Sequence, residues 1–129
     1  MQIEEIRDTA VAALEEIKAR DIVVLDVRKL TSLFDYLIVA SGESARQTKA
    51  LARNVHDKVK SAGGSVIGVE GEQTGEWVLV DLGGVVVHVM QPAVRDYYSL
   101  EQLWGGEVPR RVSTLRRAEW ATQRGQARP

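Results

Sequence analysis

An α/β fold in which a mixed five-stranded sheet is flanked by helices is what this sequence predicts. Two stretches space apolar residues three and four apart, as surface helices do, and five β-branched runs are too short and too evenly apolar for helices. One helical stretch crosses between the second and third runs, which asks for a parallel pair. Gly83-Gly84 between the last two asks for an antiparallel hairpin.

Residues 2–19 form the first helix, with Ile3, Ile6, Ala10, Ala13, Leu14 and Ile17 on one face and Glu4 and Glu5 in the first turn, where the helix dipole favours negative charge. Asp21 to Val27 is a buried strand, and Tyr36 to Ala40 a second. Ser44 followed by Gln47 has the spacing of a capping box, so the next helix starts there. Leu51, Val55 and Val59 line its inner face and Gly63-Gly64 stops it. Ser65 to Val69 is the third strand, expected to lie parallel to the second, with Trp77 to Leu82 and Val85 to Met90 as the fourth and fifth. Pro92 suits the first turn of a helix running through Tyr98, and Ser99 with Gln102 repeats the capping spacing as if the helix restarts.

At 129 residues, 44% hydrophobic and 27% charged, the chain is long enough for one core. It has no cysteine, which removes disulfides and thiolate metal sites and suits a reducing cytosol. No apolar run nears the roughly 20 residues that cross a bilayer, so no membrane contact and a cytoplasmic location are expected. Residues 1–105 read as the domain and 106–129 as a basic, flexible tail. From residue 110 onward six arginines face Glu119 alone, net +5, while residues 1–109 hold 11 basic and 17 acidic side chains, net −6. Such a tail suits phosphates or anionic lipid, and a solvated, partly disordered terminus is the plainer reading.

Catalytic chemistry finds little support in the spacing. Ser41-Gly42 lies before a helix, but one glycine without a lysine is no phosphate loop. Asp26, Asp35, Glu70 and Asp81 fall at strand ends, yet no D-x-D pair puts two carboxylates on one strand face as a two-metal transferase needs; caps and ion pairs explain them. His56 and His88 have no metal-ligating neighbours in sequence, and His88 reads as a satisfied, half-buried histidine. No G-x-S-x-G elbow is present, and no metal or cofactor is expected. Aromatic residues are only 5% of the chain, yet two of the three tryptophans and two of the three tyrosines fall between Glu70 and Trp104. Trp and Tyr anchor interfaces, so this clustering points to a recognition surface.

The stretch Phe34 to Gln47 (FDYLIVASGESARQ) resembles the ribosomal silencing factors, the Iojap-like family. The likeness continues through Glu70-Gly71, Trp77 to Asp81, Val86 to Val89, Arg95 to Tyr98 and Leu100 to Trp104, in the family's order over about residues 5–105. It implies a nucleotidyltransferase-like domain without catalytic carboxylates, usually a homodimer and not an enzyme. It also implies binding to the large ribosomal subunit through its protein uL-fourteen, sterically blocking subunit joining and repressing translation. Gly83-Gly84, in place of a more polar turn, and the arginine-rich tail depart from the family pattern; the tail is a candidate for ribosomal RNA contact. The expected docking surface is Trp77, Leu79, Asp81 and His88 on the sheet with Arg95, Tyr97 and Tyr98 from the following helix, and Trp77, Leu79 and Asp81 share a strand face by the period-two rule. The rivals are a nucleotidyltransferase-like or phosphate-binding enzyme using Asp26, Asp35 and Asp81, and a scaffold whose business is dimerisation.

Overall fold

A computed structural model describes residues 1–98 and 110–111 of the chain. Helix α1 (Ile3–Glu16) turns Ile6, Ala10, Val11, Ala13 and Leu14 inward, and Glu4 and Glu5 occupy its first turn. Its end is closed by Lys18 N–H on the Glu15 carbonyl and Ala19 N–H on the Leu14 carbonyl, both at 3.0 Å. That is the Schellman pattern, with Lys18 at φ 63° where glycine is usual. A side chain in the left-handed region costs about 1 kcal/mol. Lys18→Gly is therefore expected to raise stability by about 1 kcal/mol, about 4 °C in melting temperature for a domain this size. A lowered melting temperature would contradict that reading of the helix end.

Strand β1 (Arg20–Asp26) opens with an irregularity between Arg20 and Val23, where Asp21 has φ 49°. Strand β2 (Tyr36–Ser41) is buried throughout, as befits the centre of a sheet. Helix α2 (Ala45–Ser61) starts at Ser44, whose Oγ accepts the Gln47 N–H at 3.1 Å. The return half of the cap is shifted: Gln47 Oε1 takes the Glu43 N–H at 2.7 Å, and its Nε2 lies 3.3 Å from the carbonyls of Ile17 and Lys18, tying the start of α2 to the end of α1. Gly63, at φ 92°, and Gly64 close α2 on the carbonyls of Lys60 and Val59.

Strands β3 (Gly68–Glu70), β4 (Trp77–Asp81) and β5 (Val85–Met90), then helix α3 (Pro92–Tyr98) and strand β6 (Arg110–Arg111), complete the described elements. The sheet order is β3-β4-β5-β2-β1-β6. The five expected strands are joined by a sixth from the basic segment, Arg110 and Arg111 pairing antiparallel with β1. The parallel pair is β2 with β5, not β2 with β3 as the sequence suggested. The physical reason is ladder length. β2 is buried over all six residues and needs a full-length neighbour, which β5 supplies from Tyr36 opposite Val85 to Ser41 opposite Met90. Three-residue β3 can only serve at an edge, where it pairs antiparallel with β4.

Helices α1 and α2 cover one face of the sheet over a core that includes Leu14, Ile22, Ile38, Leu51, Val55, Val78, Val80, Val87 and Val89. The opposite face carries a second cluster of Val23, Leu25, Val27, Leu37, Val39 and Met90, against which Phe34, Trp77, Val86 and Val94 pack partly buried.

Candidate docking surface

The β4–β5 hairpin sorts its side chains by register. Trp77 lies opposite Met90, Leu79 opposite His88 and Asp81 opposite Val86. Alternation sends Val78, Val80, Val87 and Val89 into the helix-covered core and leaves Trp77, Leu79, Asp81, Val86 and His88 together, half-buried, on the other face. Four of the sequence-predicted residues are thus brought together on one surface.

Within it, the Trp77 Nε1–H donates to His88 Nδ1 at 2.8 Å, with the rings 5.7 Å apart and tilted by 49°. Only a deprotonated Nδ1 can accept that proton, so the bond requires a neutral imidazole carrying its proton on Nε2. Burial works in the same direction, lowering His88 from the usual 6.5 to about 4. Because the folded value is depressed, the stabilisation is present above about pH 6.5 and drains away as pH falls toward 4. Stability is expected to drop by about 1–2 kcal/mol between pH 7 and pH 5 from this group, after discounting for partial solvent access. His88→Asn, whose amide oxygen keeps an acceptor for the indole, should flatten that slope in urea titrations; an unchanged slope would clear His88 of responsibility.

Asp81 is partly committed to its own turn, its Oδ1 accepting the Gly83 N–H at 2.9 Å. Arg95 sits apart from the open patch: it is only 6% exposed, and its Nη1 donates to Ser41 Oγ at 2.8 Å, holding α3 against the end of β2. Tyr97 and Tyr98 end α3; their side chains, like Trp104 and the Ser99/Gln102 spacing, lie outside the described residues. The acidic, glycine-bearing loop of residues 70–76 leads into Trp77, and sequence reasoning missed what anchors it. The Gly75 carbonyl accepts from both Thr48 Oγ1 and, at 3.2 Å, Gln91 Nε2, while Gln91 N–H bonds the Glu76 carbonyl at 3.0 Å. Thr48 and Gln91 lie far from the loop in sequence, so no local pattern announces them.

Several of the residues weighed for catalysis are otherwise engaged. Asp26 pairs with Arg28 at 2.7 Å, and His56 Nδ1 lies 2.9 Å from Asp57. Gly42 gives its N–H to the Met90 carbonyl at 3.0 Å, and a Cβ there would come within 2.8 Å of Thr48 Cγ2, so close helix packing accounts for this glycine. Among the described residues no three His, Asp or Glu side chains gather as metal ligands.

Fold and surface together define a small α/β domain that layers both long helices on one sheet face and presents a half-buried aromatic patch on the other. The sequence pattern of the family described as "Ribosomal silencing factor during starvation" matches residues 1–128, and the chain belongs to that family. It is 61% identical over 109 residues to a Chromobacterium violaceum protein named Ribosomal silencing factor RsfS, covering 84% of this chain and 89% of the relative. It is 33% identical over 100 residues to the mouse protein named Mitochondrial assembly of ribosomal large subunit protein 1, covering 75% of this chain and 44% of that one. A crystal structure of a C. violaceum protein superimposes with a TM-score of 0.81 at 60% identity, covering 85% of this chain and 92% of the other.

Proposed function

We propose that this protein represses translation by binding the large ribosomal subunit through its protein uL-fourteen and standing where the small subunit would join. The observation that carries the reading is the Trp77–His88 pair on the sheet face opposite α1 and α2. A large ring is fixed by a 2.8 Å hydrogen bond and left half-accessible beside Leu79, the arrangement of an interface anchor whose conformational entropy is already spent. Membership of the silencing family and the mouse relative's name, with its reference to the ribosomal large subunit, support the choice of partner. On this reading the protein acts in the cytoplasm by obstruction and not by catalysis, as a homodimer when free, and the basic segment 106–129 adds contact with ribosomal RNA. Arg95 then acts from beneath, positioning α3 and its two tyrosines.

The test is sedimentation through a sucrose gradient with purified large and small subunits, followed by light scattering of subunit joining. Co-migration with the large subunit and a dose-dependent loss of joined ribosomes are expected. A protein that stays at the top of the gradient, or that releases heat with nucleotide and magnesium in a titration, would overturn the proposal.

A further inference from the structure

Helix α2 carries a charge that its own folding does not explain. Arg46, Lys49, Arg53, Lys58 and Lys60 stand against Asp57 alone, net +4, within residues 1–109 whose net charge is −6. Lys58 reaches Glu16 at 3.5 Å, but Arg46, Lys49, Arg53 and Lys60 form no ion pair among the described residues. At 100° per residue these four fall within about 60° of arc, away from the buried Leu51, Val55 and Val59, and span roughly 21 Å of helix axis. Arg46 stands in a first turn that holds no acidic residue, where the helix dipole disfavours a cation. Helix α1 of the same chain follows the dipole rule with Glu4 and Glu5.

The geometry points to this face of α2 as a docking surface for the phosphate backbone of RNA, which is ribosomal RNA if the function proposed above holds, and the inference rests on that reading. The stripe is linear and basic, with Asp57 and His56 at its two edges; its first three cations, Arg46, Lys49 and Arg53, have no acid among them, and no Phe, Tyr, Trp or large aliphatic side chain interrupts it, Ala50 being its one exposed apolar neighbour. A protein partner would meet an apolar centre with a polar rim, whereas backbone contact with RNA needs only spaced cations. Lys49 Nζ lies 3.4 Å from the Gln73 carbonyl, so the stripe begins beside the loop that leads into Trp77. Because α2 covers the sheet face opposite Trp77, the domain has two opposed surfaces, one for protein and one for nucleic acid.

The experiment compares the full chain with the triple variant Arg46→Gln, Lys49→Gln, Arg53→Gln in binding purified large subunits across a salt series. The wild-type affinity should fall steeply with salt, and the triple variant should bind more weakly at low salt with a slope of log affinity against log salt shallower by about 3, one per contact. Trp77→Ala should weaken binding with the slope preserved. Arg46→Glu should raise the melting temperature while weakening binding, which separates folding from docking. An unchanged slope in a triple variant that binds like wild type overturns the α2 inference and leaves the proposed function standing; a wild type that never co-sediments overturns both. Loss of affinity in the triple variant with no competition from excess generic RNA duplex would mean an acidic protein surface and overturn the RNA assignment.

Discussion

Gly71→Ala is expected to destabilise the fold by about 3 kcal/mol or more. Gly71 follows β3 with φ 89°, a conformation that costs an L-residue about 1–2 kcal/mol. The added Cβ would also overlap the carbonyl of Trp77. That oxygen belongs to the first residue of β4, whose ladder to β5 runs from Trp77 opposite Met90 to Asp81 opposite Val86, so it cannot step aside as a flexible side chain could. Forcing a methyl into a packed site adds about 1–3 kcal/mol. Urea unfolding would measure the loss, and hydrogen exchange would show whether the amides of β3 lose protection first. A cost below about 1 kcal/mol would mean that the three-residue edge strand peels away freely and that Trp77 does not depend on it. The ordinary glycine-to-alanine effect would have the opposite sign, since it restricts the unfolded chain.

Much of the fold was legible because it is written locally. Ser44 and Gln47 announced the start of α2, the inner stripe of Leu51, Val55 and Val59 set its buried face, and the Gly83-Gly84 hairpin joins β4 to β5 as expected. Pairing order was not legible. Nothing within Gly68–Glu70 says that α2 delivers the chain to the far edge, or that β5 returns to lie beside β2, because strand order is decided by competition among distant segments for one buried neighbour. Arg7 shows the same limit at the scale of a side chain. Nothing in the spacing of α1 singles it out, yet it is 1% exposed, its guanidinium 4.8 Å over the Tyr36 ring and 2.9 Å from Asp8. In the candidate site, period-two alternation placed Trp77, Leu79 and Asp81 on one face, while the bond from Trp77 to His88 crosses two strands and needed the register.

That bond also determines what the patch can offer a partner, and it makes Trp77→Ala the variant with the largest expected effect on binding. The indole N–H is engaged by His88, so the accessible part of the ring is apolar edge and face. A rigid aromatic anchor beside Leu79 should account for about 2 kcal/mol or more, roughly a 30-fold loss of affinity for large subunits on truncation. Trp77→Phe keeps most of the ring surface but takes the donor from His88 Nδ1, so its loss should be smaller and should come with a rise in the His88 pKa as the constraint on the neutral imidazole relaxes. In a double-mutant cycle of Trp77→Phe with His88→Asn, coupling well above the error would place the pair as one recognition unit, whereas additive losses would make them independent contacts. Full binding by Trp77→Ala with an unaltered circular dichroism spectrum would reduce the residue to packing on the second cluster, and the docking surface would have to be sought elsewhere on the sheet.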